Sequence, residues 1–131
     1  MRALRAGAAL ALAAALAAAA APSPGMPPPG PFDPGGRWRF FHSDGTPFLA
    51  RLLADQTATT DYGADGERGI WRWDGGAVRM IYTDGWDDML SREPDGSFRK
   101  RAWAPGGDRC APPANDARAE RVSAEPGPPL R

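Results

Sequence analysis

The groups best suited to chemistry crowd into one run, Tyr82-Thr-Asp-Gly-Trp-Asp-Asp88. It offers three carboxylates (Asp84, Asp87, Asp88), a phenol (Tyr82) and an indole (Trp86). Carboxylates that converge can divide acid and base roles or hold calcium. An indole beside them can stack on the flat face of a sugar or another planar ligand. Strand geometry narrows these options. Asp87 and Asp88 are adjacent, and successive side chains of a strand face opposite sides, so the two cannot share one site. The calcium-loop pattern of an EF-hand is absent. The run therefore predicts a ligand contact made by Trp86, Asp84, Asp87, Asp88 and Tyr82, with no catalytic residue and no metal ligand assigned.

Other constellations carry less. His42-Ser43-Asp44 contains the residue types of a hydrolase triad. Three consecutive side chains entering a turn point apart, whereas a triad needs them to converge. The chain shows no Cys/His metal spacing, no phosphate-binding glycine loop and no G-x-S-x-G elbow. No cofactor is implied. The single cysteine, Cys110, cannot form an intrachain disulfide. Five tryptophans (Trp38, Trp71, Trp73, Trp86, Trp103) are expected mainly as core, with Trp86 the best candidate for an exposed stacking platform. Arg39, Arg51, Arg72, Arg79, Arg99 and Arg101 alternate with apolar residues and read as the solvated face of a sheet.

Turns set the elements that must position these groups. Turn candidates fall at Asp44-Gly45, Asp55-Gln56, Asp65-Gly66, Asp74-Gly75, Asp84-Gly85 and Asp95-Gly96, spaced 11, 10, 9, 10 and 11 residues apart. Asp-Gly is a strong hairpin signal because two-residue hairpin loops need positive φ. Gln56 breaks the pattern, and a type I turn is an alternative there. Six turns divide 37–104 into seven short strands, and no stretch sustains a helical apolar stripe. The fold class is all-β: a small antiparallel up-and-down meander, as a compact barrel or a curved open sheet.

Register decides which residues face the core. A two-residue loop at Asp74-Gly75 pairs Trp73 with Gly76 and Arg72 with Ala77. It is preferred over a loop at Gly75-Gly76, which would set Arg72 opposite Arg79. Both place Trp71, Trp73, Val78, Met80 and Tyr82 on one face. At Asp84-Gly85, a two-residue loop pairs Met80 with Met89. A three-residue loop including Trp86 pairs Met80 with Leu90, and the sequence does not choose.

The flanks differ in composition. Arg2 and Arg5 followed by the Ala/Leu run Ala6 to Ala19 form a signal-peptide pattern over 1–20, a retained membrane anchor being the rival. Residues 21–36 form a Pro/Gly-rich linker, and 105–131 are expected to be a disordered tail in which Ala114 to Ala124 could make a short helix. Without Arg2 and Arg5, 14 basic residues stand against 16 acidic, a net charge near −2. That balance predicts no nucleic-acid partner.

The Gly36-Arg-Trp38 opening, Leu53-Ala-Asp-Gln-Thr-Ala58, Gly69-x-Trp71 and Asp84-Gly-Trp86 resemble small exported bacterial proteins of unknown function. More distantly the run resembles calycin-type meanders, the lipocalin and avidin group, in which a Gly-x-Trp opens the first strand. The resemblance implies an up-and-down β fold and supplies no functional residues. The expected function is a non-catalytic binding or interaction module of the cell envelope or extracellular space. Its ligand would be a small molecule, a glycan or a protein. The alternatives are a carboxylate-dependent enzyme or metal-binding domain, and a structural subunit forming homo-oligomers through a sheet edge.

Overall fold

Closure of the sheet is the main feature of the computed structural model, which describes residues 32–127. Eight strands follow one another: β1 Gly36–Phe41, β2 Pro47–Leu52, β3 Thr57–Thr60, β4 Glu67–Asp74, β5 Ala77–Tyr82, β6 Asp87–Arg92, β7 Phe98–Trp103 and β8 Asn115–Ser123. Each is antiparallel to its neighbours in sequence, and β8 pairs back with β1 to close a barrel. The all-β meander is thus a closed barrel with one strand more than the seven expected. The signal-peptide pattern and most of the linker lie outside the described residues.

β8 arises in the segment expected to be a disordered tail with at most a short helix. Its Ala, Arg and Glu content favours helix, but its burial alternates. Asn115, Ala117 and Ala119 turn inward, where small side chains leave room for the large rings of β1 and β7; Ala119 sits opposite Phe98. The outward Asp116 meets Arg99 and Arg101, and Glu120 meets Arg39 and Arg118. Three of these four pairs cross to β1 or β7, and Arg118–Glu120 lies along β8 at the spacing of one strand face. Trp103 Nε1 donates to Ala111 O (2.9 Å) and Arg51 donates to the carbonyls of Pro126 and Gly127, so residues flanking β8 are pinned as well.

Four hairpins use one turn design. The loops Ser43-Asp44-Gly45, Ala54-Asp55-Gln56, Thr83-Asp84-Gly85 and Pro94-Asp95-Gly96 each have three residues, closed by paired backbone bonds such as Tyr82 N–H to Trp86 O and Gly85 N–H to Tyr82 O, both 3.0 Å. The third residue has positive φ, and the central aspartate accepts from the N–H two residues on. This is the type I turn plus left-handed residue of three-residue hairpins. Gln56 adopts φ 70°, doing the work glycine does in the other three. The Asp-Gly pairs there are turn signals, but for a loop one residue longer than the two-residue form.

The preferred register at Asp74 is also corrected. Asp74 pairs with Ala77 and Arg72 with Arg79, around a loop of Gly75-Gly76. The like-charge opposition is relieved because Arg79 turns to Asp87 on the next strand with two hydrogen bonds, 3.1 and 2.6 Å. At the following hairpin Met80 pairs with Asp88, a register neither alternative contained. It puts Asp88 inside the barrel with Met80 and Asp87 outside with Ile81.

Trp38, Phe40, Leu52, Val78, Met80 and Leu90 fill the interior. Trp71 and Tyr82 join them, as expected from the shared face. Trp73 is the exception, 39 % exposed near the barrel end. The side chain of Phe32, from the end of the expected linker, caps that end. Its ring packs edge-on against Trp38, Trp73 and Phe98 at 6.1, 5.4 and 5.0 Å between centroids. Trp38 Nε1 donates to Pro34 O (2.8 Å), fixing the approach of the segment. A closed barrel leaves no free sheet edge among the described residues, so oligomerisation through an edge loses its surface.

Candidate functional site

The end opposite Phe32 is built differently. The β1–β2, β3–β4, β5–β6 and β7–β8 connections all meet there, and between them opens a cavity of about 90 Å3. Its rim is a chain of rings. His42 lies 4.9 Å from Phe48 and 4.9 Å from Tyr62, and Tyr62 lies 6.1 Å from Trp86. Each ring comes from a position next to a turn, where the inward parity of a strand carries over into the loop.

Its deeper wall is charged. Asp88, Lys100 and Glu67 line the cavity, from β6, β7 and β4. Asp88 and Lys100 are 4 % and 3 % exposed, and Lys100 Nζ stands 3.9 Å from Asp88 Oδ2. That separation is an ion pair too long for a direct hydrogen bond. Lys100 Nζ also lies over the Phe48 and Phe40 rings, 5.1 and 5.5 Å from their centroids. These contacts favour the cation. Burial pushes the Asp88 carboxyl up to about 7, against the pull of Lys100. Burial likewise lowers the Lys100 ammonium, with Asp88 opposing.

Glu67 is the second unusual acid. Burial, then a hydrogen bond with the Asp84 carboxyl, pushes it up to about 8. Two carboxyls can share such a bond only when one of them holds a proton. Thr60 Oγ1 donates to Glu67 Oε1 at 2.8 Å. The Thr60 bond ties the start of β4 to the end of β3. Tyr82 is buried, its hydroxyl has no partner among the described residues, and burial raises its pKa well above the ordinary value.

The five residues predicted as a ligand contact are thus separated by the fold. Trp86 and Asp88 line the cavity. Asp84 stands exposed at the turn, accepting from the Trp86 N–H at 3.1 Å. Tyr82 is in the core. Asp87 faces outward, bonded to Arg79 and, at 2.9 Å, to Arg109. Burial alone would raise Asp87, but the two guanidiniums prevail and hold it below the usual carboxylate range. Asp87 is therefore removed from the site, as the opposed parity of the Asp87-Asp88 pair requires.

Lys100, Glu67, His42 and Tyr62 were missed. A signal for the first two was present. Counting in twos from Trp71 back reaches Glu67, and from Phe98 forward reaches Lys100. Both are charged residues at inward positions, and only the eighth strand brings them inside one closed wall. Trp71, read as core, is so, and its Nε1 donates to Leu53 O at 2.7 Å. Trp103 faces outward, with the Arg109 guanidinium 4.7 Å above its ring.

Among the described residues, no three of the His, Cys, Asp and Glu side chains are grouped to hold a metal ion. No protein-family model matches the chain, and no curated protein or solved structure shows detectable similarity to it.

Proposed function

We propose that this chain is an exported, non-catalytic binding module that takes a small ligand into the open mouth of its barrel. One observation carries the proposal: the two ends of the barrel differ. Phe32 plugs one, while the other keeps a cavity rimmed by Tyr62 and Trp86 and walled by buried Asp88 and Lys100. An eight-stranded barrel has an interior wide enough to be filled by side chains or to hold one small ligand. Concave, mostly apolar sites with a few convergent polar groups are where small molecules bind.

Kinship with calycin-type barrels is part of the proposal, supported by eight up-and-down strands and by the Gly36-x-Trp38 opening. Export is supported by the pattern of residues 1–20. Asp87 and Asp88, the adjacent carboxylates of the enzyme alternative, lie on opposite faces of the sheet and cannot act as a pair; the carboxyls that share the mouth are Asp88 and Glu67.

The test is a residue-resolved NMR titration of the full chain with a panel of small polar and aromatic compounds. Binding shifts the signals of His42, Tyr62 and Trp86 and leaves the Phe32 end still. A panel that moves nothing, or moves only the Phe32 end, refutes the proposal.

A further inference from the structure

The cavity wall specifies more than size. Asp88, Ala102 and Asn115 are register partners on β6, β7 and β8, so their inward side chains form one row across three strands. Ala102 is the small member, and the space above its methyl group separates Asp88 from Asn115. Lys100 stands one inward position deeper on the same strand as Ala102. Adjacent strands lie about 4.8 Å apart, so the row spans roughly 10 Å between its outer backbones.

Part of the hydrogen-bonding capacity of the row is unspent. Asn115 Nδ2 donates to Phe41 O and Ser43 Oγ, both at 3.3 Å, which fixes the orientation of the amide. Its Oδ1 is buried and has no partner among the described residues. Asp88 and Lys100 hold each other at 3.9 Å and make no direct hydrogen bond. The wall thus presents two sets of acceptors, on Asp88 and Asn115, and a set of donors, on Lys100. Buried polar groups in native proteins are normally satisfied. Between about pH 7 and 8, where Asp88 is ionised against Lys100 and Glu67 keeps its proton, the wall is neutral, so a charged guest would leave one charge uncompensated in a desolvated site. A complementary guest is therefore neutral, with hydroxyl-type groups that both donate and accept on neighbouring atoms. The rim adds the indole of Trp86 and the phenol ring of Tyr62, suited to the C–H face of a saturated ring. The cavity holds on the order of three water molecules at ~30 Å3 each, enough for the polar edge of a guest but not for a whole sugar.

We infer that the mouth binds the vicinal diol of a sugar or polyol: one hydroxyl donates to Asp88 and accepts from Lys100, the other donates to Asn115 Oδ1, and the carbon skeleton lies against Trp86 and Tyr62. This inference rests on the mouth being a binding site. Charge-assisted hydrogen bonds to Asp88 and Lys100 are the strong contacts, and the Trp86 ring contributes apolar contact without selecting one sugar.

The experiment is an NMR titration of the full chain, read at the Trp86 indole signal. The probes are glycerol and methyl mannopyranoside, with ethanol and dimethoxyethane as analogues lacking one hydroxyl or all donors. Benzoate, benzylamine and acetamide complete the set. Both diols should shift Trp86 saturably, and the analogues should bind at least about tenfold more weakly, as when a buried polar group is left unpaired. Ala102→Val fills the seat without touching a polar group and should abolish diol binding while circular dichroism keeps the β signal. Lys100→Met with Asp88→Asn should weaken it about tenfold or more. If benzoate, benzylamine or acetamide saturates the site and the diols do not, the ligand class is overturned while the mouth remains a binding site. If Ala102→Val leaves diol binding unchanged, the seat between Asp88 and Asn115 is overturned while the mouth remains a binding site; if no probe shifts Trp86, both the ligand class and the site are overturned.

Discussion

Replacing Glu67 with Gln isolates the second unusual acid of the mouth, which stands beside the Asp84 carboxyl. In the fold its pKa is raised from the ordinary 4.5 to about 8, by burial first and by the Asp84 carboxyl second. Between those values the folded chain binds a proton that the unfolded chain has released. Stability therefore falls as pH rises through that window, and the contribution is fully present only below about 4.5. Each tenfold change in proton affinity is worth about 1.4 kcal/mol, which sets an upper bound of ~5 kcal/mol for the whole window. Glu67 is only partly buried, and solvent screening reduces the expected loss to about 1–2 kcal/mol. Gln is the uncharged counterpart of the protonated acid. Its oxygen can accept from Thr60 and its nitrogen can donate to Asp84. Urea denaturation of both chains at about pH 5 and about pH 9 checks the reasoning. The variant should match the parent within about 0.5 kcal/mol at the lower pH and exceed it by about 1–2 kcal/mol at the higher. Asp88 titrates in both chains, so their difference reports Glu67 together with its coupling to Asp88 and Lys100. Curves that stay parallel from one pH to the other would refute the shared proton.

Two further perturbations probe the frame around the mouth. Gln56→Gly should stabilise the chain by about 0.5–1 kcal/mol, because φ 70° strains a residue with a Cβ and glycine's greater unfolded entropy offsets only part of the relief. A Tm that falls would show the strain to be absent. Phe32→Ala should cost about 2 kcal/mol by thermal melting and expose Trp38 and Trp73, shifting tryptophan emission to the red, while ligand shifts at Trp86 persist. Loss of those shifts in a folded variant would contradict the separation of the two ends.

Turn positions and strand alternation were legible because both are local. Asp at the centre of a loop and a residue with positive φ after it mark hairpins wherever they occur. Loop length was not legible, since Asp-Gly fits a two-residue and a three-residue loop alike, and one residue decides whether Asp88 or Asp87 faces inward. The register around Gly75-Gly76 went against like-charge avoidance because Arg79 has a partner on the strand beyond, which no single hairpin reveals. β8 was missed for the same reason. Its alanines look like weak core until Phe98 is placed opposite Ala119. At the site, Trp86 and Asp88 were found by proximity in the chain, while Lys100 and Asn115 needed the closed ring of strands to become their neighbours.

Closing the barrel with its last strand has a kinetic consequence. Arg39 and Glu120, which meet across the seam, are 81 residues apart, whereas every other strand pairs with the one just before it. Contacts so distant in sequence form late and slow folding. During synthesis β1 through β7 can zip up as successive hairpins, yet the curled sheet keeps two bare edges until the final strand emerges. Those edges, the β1 edge being bare for most of the chain's elongation, are where a second chain could add itself. The Asp116 and Glu120 contacts lie at the two seams that β8 closes, so docking of one strand covers both edges at once.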